Sequence, residues 1–263
     1  QIVHKLDLEH ALRFALARNE LSLVYQPLVD IKHNRITGAE ALLRWHHPEL
    51  GTISPIEFIP IAEETGMINP IGQWILHTAI DQCKKWIAAG HTDLVVAINL
   101  SAVQFNNPLL VNMINAILHE HQFPADNLEL EITESVAMIN IDLTIKQLKT
   151  LADAGIRLSL DDFGTGYSSL NYLKKFPINK LKIDQSFVFD MLVDEDDEAI
   201  VDAVITLARS LGLKTLAEGV ETMEHLRLLQ NKGCDFIQGY LFSRPVTAEQ
   251  FSLLLNHPPL NNL

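Results

Sequence analysis

Short apolar segments of strand length alternate with amphipathic segments of helical length along the whole chain. Eight segments have the composition of β-strands, and helix-length stretches such as Trp74–Ala88 and Met223–Leu229 separate most of them. This alternation within 263 residues is typical of a single (β/α)8 barrel, an α/β fold in which a helix follows each strand. The predicted strands are Leu23–Asp30, Thr37–Arg44, Leu94–Leu100, Leu128–Thr133, Arg157–Asp161, Lys180–Asp184, Lys214–Glu218 and Phe236–Gln238.

The connection between the first two predicted strands is too short for a regular barrel. Only Ile31–Ile36 join them, with Asn34 as a turn residue, and Gly38 is interpreted as a second turn residue. A crossover between parallel strands needs about a dozen residues or more, so these two strands are predicted to be antiparallel. The sequence therefore predicts a modified (β/α)8 TIM-like barrel with an antiparallel first strand. The long stretch from His46 to Gly90 is predicted to carry additional helices before the third strand.

Charge and composition exclude several classes of function. The formal net charge of −13 disfavours binding to a DNA or RNA duplex, whose phosphates need lysine and arginine partners. The sequence has no apolar run of about 18 residues and no signal peptide, so we expect a cytoplasmic domain that makes no membrane contact of its own. Cys83 and Cys234 match no metal or redox spacing and are expected to be buried free thiols.

The chain starts at Gln1 and not at methionine. We therefore expect it to be a fragment of a larger multidomain protein, whose missing N-terminal region could tether the domain to the inner membrane.

Polar side chains stand at the ends of most predicted strands. Asp161 and Asp162 end one strand, and the glycine-punctuated segment Phe163–Gly166 follows at once. In a barrel the C-terminal ends of the strands form one mouth, where functional residues lie. We expect these two acids to share that mouth with the other strand-end residues, which are Glu40, Asn99, Glu131, Lys182 and Glu218.

Each of these residues also has a purely structural interpretation. An asparagine at a strand end often forms only a turn hydrogen bond, adjacent aspartates can be turn residues, and Lys182 can pair with a structural carboxylate. Five carboxylates at one mouth, however, repel each other unless cations or a lysine neutralise them. Oxygen ligands favour Mg²⁺ or Mn²⁺, and two such ions about 3.5–4 Å apart can bind a phosphoryl group and activate water. This pattern indicates a metal-dependent enzyme.

Zinc would need histidine or cysteine ligands. No matching partner set is visible for the histidines His46, His47, His119 and His121, so we interpret them as surface residues.

The strand-end residues also form a family signature. The segment Glu40-Ala41-Leu42-Leu43-Arg44-Trp45 resembles the defining motif of the EAL family of cyclic di-GMP phosphodiesterases. The resemblance extends in family order over about Leu6 to Val246, through Tyr25-Gln26-Pro27, Asn99-Leu100-Ser101, Glu131-Ile132-Thr133-Glu134, Asp161-Asp162-Phe163-Gly164-Thr165-Gly166, Lys182-Ile183-Asp184, Glu218-Gly219-Val220-Glu221 and Gln238-Gly239-Tyr240. No expected motif position is altered, and residues 1–263 are expected to form one such domain.

The resemblance implies hydrolysis of one phosphodiester bond of cyclic di-GMP, which gives linear pGpG. It implies two Mg²⁺ or Mn²⁺ ions per site. We expect Ca²⁺ to inhibit, because Ca²⁺ is larger and takes looser geometry. One ion is expected to be held by Glu40, Asn99, Glu131 and Asp161. The second is expected to be held by Asp161 and Asp162, with Glu218 as a further ligand or as the base that acts on water.

The resemblance also implies roles for residues around the metals. Lys182 would contact the attacking water or balance the charge of the site, and Glu134 would brace the loop that carries Asp161 and Asp162. Glu221 is expected to be structural. Substrate contacts are expected from Gln26, Leu43, Arg44, Asp184, Gln238 and Pro245, with Arg44 on a phosphate and Pro245 beside a guanine.

Two other functions use similar residues. The first is a binding module, either a cyclic di-GMP receptor that does not cleave its ligand or a regulatory domain that signals through dimer contacts. The second is an enolate-forming barrel, which would also use carboxylates and a lysine. The adjacent acids and the motif order favour the phosphodiesterase. By the same resemblance we expect a homodimer, formed beside the Asp161–Tyr167 loop, and sensor or GGDEF domains upstream in the full-length protein.

Overall fold

Eight strands close into a barrel in this protein. The computed structural model describes residues 2–165, 170–257 and 259. Within them one mixed sheet holds nine strands, in the order β1-β9-β8-β7-β6-β5-β4-β2-β3, and an additional pairing of β1 with β2 closes it. The strands are β1 Leu21–Asp30, β2 Arg35–His47, β3 Gly51–Ile53, β4 Val95–Asn99, β5 Leu128–Thr133, β6 Arg157–Phe163, β7 Lys180–Ile183, β8 Lys214–Ala217 and β9 Phe236–Ile237.

Helices cover the outside of this barrel. None of those in the described residues combines the length and apolar character that a membrane crossing requires. The acidic run after Asp194 begins the helix α10, and the Asp194 side chain accepts a hydrogen bond from Asp196 N, as an N-cap does. The helices are α1 Ile2–Ala15, α2 Pro55–Glu64, α3 Ile68–Ala88, α4 Ala102–Phe105, α5 Leu110–His121, α6 Glu134–Ile139, α7 Ile141–Asp153, α8 Leu170–Leu173, α9 Gln185–Asp190, α10 Glu195–Ser210, α11 Met223–Lys232 and α12 Ala248–Leu254.

The first strand runs against its two neighbours, as predicted. β1 pairs with β2 in antiparallel register, with Gln26 opposite Glu40, and it is also antiparallel to β9. Asn34 takes a left-handed conformation, with φ of 49°, in the tight turn between β1 and β2. The remaining barrel pairings, from β2–β4 round to β8–β9, are parallel. The modified barrel is therefore confirmed.

Two features of the first hairpin differ from the prediction. The short strand β3, which pairs with the end of β2, was not predicted. Gly38 lies inside β2 and not in a turn, so that prediction is wrong. A Cβ at Gly38 would lie 3.0 Å from Leu28 Cδ1 and 3.1 Å from the Val95 carbonyl oxygen. The glycine is needed because β1 and β4 pack closely against it, and a turn is not the reason.

Most of the apolar core lies between the barrel and its helices. It includes both cysteines, Cys83 and Cys234, which are buried and free as predicted. A second apolar cluster packs α1 and α2 against the outer face of β2 and contains Leu43 and Trp45. This second cluster holds the hairpin against the barrel, so it positions the Glu40 side of β2.

The inside of the barrel is filled in layers. At the N-terminal end of the strands, the partly buried Lys180 ammonium contacts both oxygens of the buried Glu129, at 2.9 and 2.8 Å. Next along the axis is a small apolar cluster of Leu28, Ala97 and Leu216, against which Phe236 packs. Two residues further along β5 and β7, on the same face, are Glu131 and Lys182. The upper layer therefore opens at the mouth where the predicted site lies.

Candidate active site

A buried lysine lies at the centre of the mouth. The side chain of Lys182 on β7 is completely buried, and its Nζ lies 2.6 Å from Glu131, 2.8 Å from Glu218 and 3.0 Å from Asp161. Glu40 is a fourth carboxylate, at 3.9 Å. Burial lowers the pKa of Lys182, but these carboxylates, Glu131 foremost, outweigh burial and hold the pKa well above its usual value. The lysine is therefore a fixed positive charge among four acids.

Burial and mutual repulsion disfavour the ionised forms of the surrounding acids. Burial, reinforced by Glu40 and Asp161 and opposed by Lys182, raises the pKa of Glu131 well above its ordinary value. Burial likewise raises the pKa of Glu218 from 4.5 to about 8, again against the effect of Lys182. One lysine does not neutralise this layer, so the acids retain capacity for further cations.

The strand turns sharply at the two adjacent aspartates. Asp162 takes a left-handed conformation, with φ of 54°, which is uncommon for a residue other than glycine. This turn directs both side chains towards the mouth: oxygens of Asp161, Asp162 and Glu218 lie within 4.8 Å of one another. Burial, followed by repulsion from Asp161 and Asp184, raises the pKa of Asp162 from 3.8 to about 6. The geometry brings together the three acids expected at the second metal.

Glu134 contacts the loop that follows the two aspartates. It is buried at the start of α6, directly after β5, and its Oε2 accepts a hydrogen bond of 3.0 Å from the Gly164 backbone N–H. Gly164 has φ of 102°, a value that suits only glycine. The expected contact between Glu134 and the Asp161–Asp162 loop is present. The loop residues Gly166 and Tyr167 lie outside the described residues.

A chain of amides links the opposite wall of the mouth. Asn99 Nδ2 donates to Glu40 Oε1 at 2.7 Å, and Gln238 Nε2 donates to Glu40 Oε2 and to Gln26 Oε1. A Cβ at Gly239 would lie 2.1 Å from the Val220 carbonyl oxygen, so only glycine fits after Gln238. The amides hold both oxygens of Glu40 in place.

A cavity of about 260 Å³ opens beside these groups. Besides Gln26, Glu40, Glu218 and Gln238, it is lined by residues that the sequence analysis did not assign to the substrate: Leu42, Gln185, Gly219, Gly239 and Tyr240, together with Glu221, which was expected to be structural. Tyr240 is half exposed, and the Arg244 guanidinium stacks 4.2 Å from its ring centre. An exposed aromatic face at a cavity rim can stack on a nucleobase.

The side chain of Leu43 does not lie in this cavity. It is buried on the outer face of β2 in the cluster that contains Trp45, and Leu42 lines the cavity in its place. Because neighbouring residues of a strand point to opposite faces, an offset of one residue moves a side chain to the other side of the sheet. The substrate contact of Leu43 stays a prediction, and Leu42 is the leucine of this segment that lines the cavity.

The remaining predicted substrate residues lie around the mouth without a common contact. The Arg44 Nη1 donates to the Leu43 carbonyl at 2.8 Å. Burial lowers the pKa of the Arg44 guanidinium, and Tyr240 and Glu40 oppose that effect. Asp184 caps α9 by accepting from Ser186 N. Pro245 is half-buried in the segment after Tyr240.

The donor set fits divalent cations that prefer oxygen. Glu131 Oε1 is buried and has no hydrogen-bond partner, whereas its Oε2 contacts Lys182. A buried carboxylate oxygen without a partner is costly, and a hard cation would satisfy it. Glu40, Asn99, Glu131 and Asp161 could hold one ion, and Asp161, Asp162 and Glu218 could hold a second.

One of the histidines that we interpreted as surface residues is largely buried between helices. His46 and His119 are exposed, and His47 Nδ1 accepts the backbone N–H groups of Glu49 and Leu50 in a turn. His121, by contrast, is only 12 % exposed and contacts side chains of α3. The surface interpretation is wrong for His121, because sequence spacing does not reveal contacts between two helices.

Comparison with known proteins gives a consistent result. The bifunctional diguanylate cyclase/cyclic di-GMP phosphodiesterase MucR of Pseudomonas aeruginosa is 47 % identical over 246 residues, which cover 94 % of this chain and 36 % of MucR. The cyclic di-GMP phosphodiesterase NbdA of the same organism is 41 % identical over 265 residues, which cover 98 % of this chain and 34 % of NbdA. The chain thus spans about a third of the length of these relatives.

Solved structures agree with the sequence relatives. The phosphodiesterase PaMucR, solved as a c-di-GMP complex, superposes with a TM-score of 0.91 at 46 % identity, covering 93 % of this chain and 99 % of that one. The EAL enzyme Bd1971, in its cAMP-bound form, gives a TM-score of 0.89 at 38 % identity, covering 97 % and 71 %. The family model of the EAL domain matches residues 9–245. The chain therefore belongs to the EAL domain family, as its fold, the arrangement of its carboxylates and these relatives together show.

Proposed function

We propose that this chain is a metal-dependent phosphodiesterase that hydrolyses cyclic di-GMP to linear pGpG. The observation that carries the proposal is the complete set of carboxylates around Lys182, with the Asp161, Asp162 and Glu218 oxygens within 4.8 Å of one another. An arrangement that serves only to bind an anionic ligand would not gather so much negative charge. These negative carboxylates can accommodate an anionic substrate only when cations lie between the carboxylates and the substrate.

The choice of substrate rests on the relatives and on the cavity. MucR and NbdA carry cyclic di-GMP phosphodiesterase in their names, and PaMucR was solved with c-di-GMP. The cavity offers amide groups of Gln26 and Gln238 and the half-exposed Tyr240 ring. Amides can bond the edge of a guanine, and the ring can stack on its face. Arg44 and Pro245 are further candidates for substrate contacts.

The proposed metals are two Mg²⁺ or Mn²⁺ ions, which when bound supply the charge that polarises the phosphodiester and acidifies water. Glu40, Asn99, Glu131 and Asp161 would hold one, and Asp161 and Asp162 the other. We expect Ca²⁺ to inhibit because it takes more ligands at longer distances. Exhaustive EDTA treatment should abolish turnover, and full activity after that treatment would contradict the proposal.

The chain's own residues have distinct tasks in this reaction. Lys182, held by Glu131, Asp161 and Glu218, offsets the repulsion among these carboxylates and offers an ammonium near the attacking water. Glu218 lies at the cavity wall, and burial raises its pKa to about 8, so its ionised carboxylate is a stronger base than an ordinary glutamate and can accept the proton of that water. Glu134 acts indirectly, since its bond to Gly164 N holds the loop that carries Asp161 and Asp162.

The competing function is a receptor that binds cyclic di-GMP without cleaving it. The assay is incubation of the chain with cyclic di-GMP and Mg²⁺ or Mn²⁺, followed by chromatography for pGpG. Appearance of pGpG that requires metal supports the phosphodiesterase. Stable binding of cyclic di-GMP with no pGpG would favour the receptor and refute the proposed hydrolysis.

Partners of the domain follow from the same reasoning. We propose a cytoplasmic homodimer whose interface lies beside the Asp161–Tyr167 loop, and upstream sensor or GGDEF domains in the full-length protein. The curated relatives are about three times as long as this chain, which leaves room for such domains. Sedimentation of the chain as a fully active monomer at high concentration would refute control through a dimer.

A further inference from the structure

Two histidines and a glutamate meet on the outside of the barrel, away from the mouth. His77 lies on α3, and Glu120 and His121 are the last two residues of α5. One ligand atom from each of the three lies within 4.8 Å of the other two. We propose that His77, Glu120 and His121 form a binding site for Zn²⁺ that joins α3 to α5. Two imidazoles and one carboxylate form a ligand set typical of zinc, and the ligands at the mouth are all oxygens.

The two imidazoles already face each other. His77 Nδ1 and His121 Nε2 are 2.7 Å apart, so in the absence of metal one of them donates a hydrogen to the other. A tetrahedral zinc ion with nitrogens at about 2.0–2.1 Å would set these nitrogens about 3.3 Å apart. An opening of about 0.6 Å, within reach of small side-chain rotations, would admit the ion. A shift of the His77 proton from Nδ1 to Nε2 frees the lone pair without changing the charge.

The orientation of His121 is set by a carboxylate behind it. Its Nδ1 lies 2.8 Å from Asp81 Oδ1, one turn along α3 from His77. The carboxylate accepts the Nδ1–H, which leaves the lone pair on Nε2 and directs it towards His77. Metal-binding histidines almost always donate their other ring N–H to such a partner. This contact is a second observation, independent of the clustering, that suits a metal ligand.

The local charges also favour a cation. Glu120 and Asp81 bring two carboxylates, and the nearby Lys84 ammonium brings one positive charge, which is engaged with the His121 carbonyl oxygen. Without metal, the chain Asp81–His121–His77 would only link the helices by hydrogen bonds. This hydrogen-bond chain is the competing interpretation, and the experiment below separates it from a zinc site.

The location assigns the zinc a structural role. The end of α5 leads through Ala125–Asn127 into the start of β5, at the end of the barrel opposite to the mouth. A ligand that binds only the folded state stabilises it by mass action. Zinc here would therefore clamp α5 to α3 and raise the melting temperature, with no part in turnover.

The test is zinc binding by isothermal titration to the whole chain in buffer saturated with Mg²⁺, which occupies the oxygen ligands at the mouth. We expect the parent to bind one more zinc equivalent than His77→Ala, and Glu120→Gln to weaken that site at least tenfold. Asp81→Asn should weaken it by about 10–100-fold through the orientation of His121. His119→Ala, an exposed histidine on the same helix, is the matched control and should bind like the parent.

Thermal unfolding gives the second readout. At about a hundredfold excess of zinc over its Kd, we expect the parent and His119→Ala to melt about 5 °C higher than without zinc, and His77→Ala to lose this shift. Circular dichroism before titration checks that each variant is folded. Equal zinc stoichiometry and equal shifts in the parent, His77→Ala and Glu120→Gln would overturn the proposal. Neither readout depends on phosphodiesterase activity, so this proposal fails or stands separately from the proposed function.

Discussion

Replacing Lys182 by methionine is the sharpest test of the charge layer at the mouth. The side chain is completely buried and its ammonium lies within 3.0 Å of Glu131, Asp161 and Glu218. Removing one partner of a buried ion pair costs about 3–5 kcal/mol, because the other charge is left uncompensated. With about 2–4 °C of melting temperature per kcal/mol for domains near this size, Lys182→Met should melt about 6–20 °C lower in EDTA.

Divalent cations should reverse much of that loss. Mg²⁺ at the mouth would supply the positive charge that Lys182 gave, so the difference between Lys182→Met and the parent should shrink by more than half at saturating Mg²⁺. The raised pKa of Lys182 means that its stabilisation is complete below the unfolded value of 10.5 and is lost only as pH rises through the folded value above it. The comparison can therefore be made at neutral pH.

The same strand provides a matched control. Lys180, whose side chain is 11 % exposed, pairs with the buried carboxylate of Glu129 at the other end of the barrel. Lys180→Met should also lower the melting temperature, but Mg²⁺ should not restore it. Differential scanning calorimetry of both variants, with EDTA and with Mg²⁺, measures the effect. If Mg²⁺ restores both variants equally, or neither, the assignment of the upper layer as the metal site is refuted.

Three further predictions follow from the site. Glu134→Ala should lower kcat by about 10–100-fold while cyclic di-GMP affinity changes less, because the substitution removes the hydrogen bond that holds the Gly164 loop. If kcat and affinity both stay at the parent level, Glu134 has no role in turnover. Glu40→Ala and Asp161→Ala should each abolish pGpG formation yet keep the circular dichroism of the parent, and near-normal rates in either would remove it from the metal ligands. In EDTA the melting temperature should fall as pH rises from 4.5 to about 8, because the raised pKa of Glu218 lets the folded state keep a proton that the unfolded state releases. Mg²⁺ should reduce this dependence on pH. A melting temperature that does not change with pH in EDTA would contradict the prediction.

The barrel was predictable because its strands carry two signals at once. Buried apolar runs mark the strands, and the short connection Ile31–Ile36 permits only an antiparallel first pair. All eight predicted strands are present, with ends that differ by a few residues. The strand β3 escaped prediction because three residues leave no periodic pattern.

The parts of the site that were missed depend on direction and on distance through space. Leu42 was not identified as a cavity residue because a motif gives the order of residues but not the face to which each one points. The contacts of His121 escaped because they cross from α5 to α3, 40 and 44 residues away in sequence. The bond from Glu134 to Gly164 was anticipated only through the family resemblance, since no local pattern links residues that are 30 positions apart.

The paired layers Glu129–Lys180 and Glu131–Lys182 have a consequence for protein engineering. Apolar and charged residues alternate in Leu128-Glu129-Leu130-Glu131, as in a strand with one face exposed to solvent, yet all four residues are buried. A stabilisation campaign that scores buried charges as defects would replace both layers with leucine or methionine. Replacing both Glu129 and Lys180 costs little stability, because well-packed apolar residues often replace a buried ion pair without loss. The same replacement of Glu131 and Lys182, two residues further along these strands, would produce a more stable barrel that no longer turns over substrate. A design filter must therefore treat two chemically identical pairs on the same two strands in opposite ways.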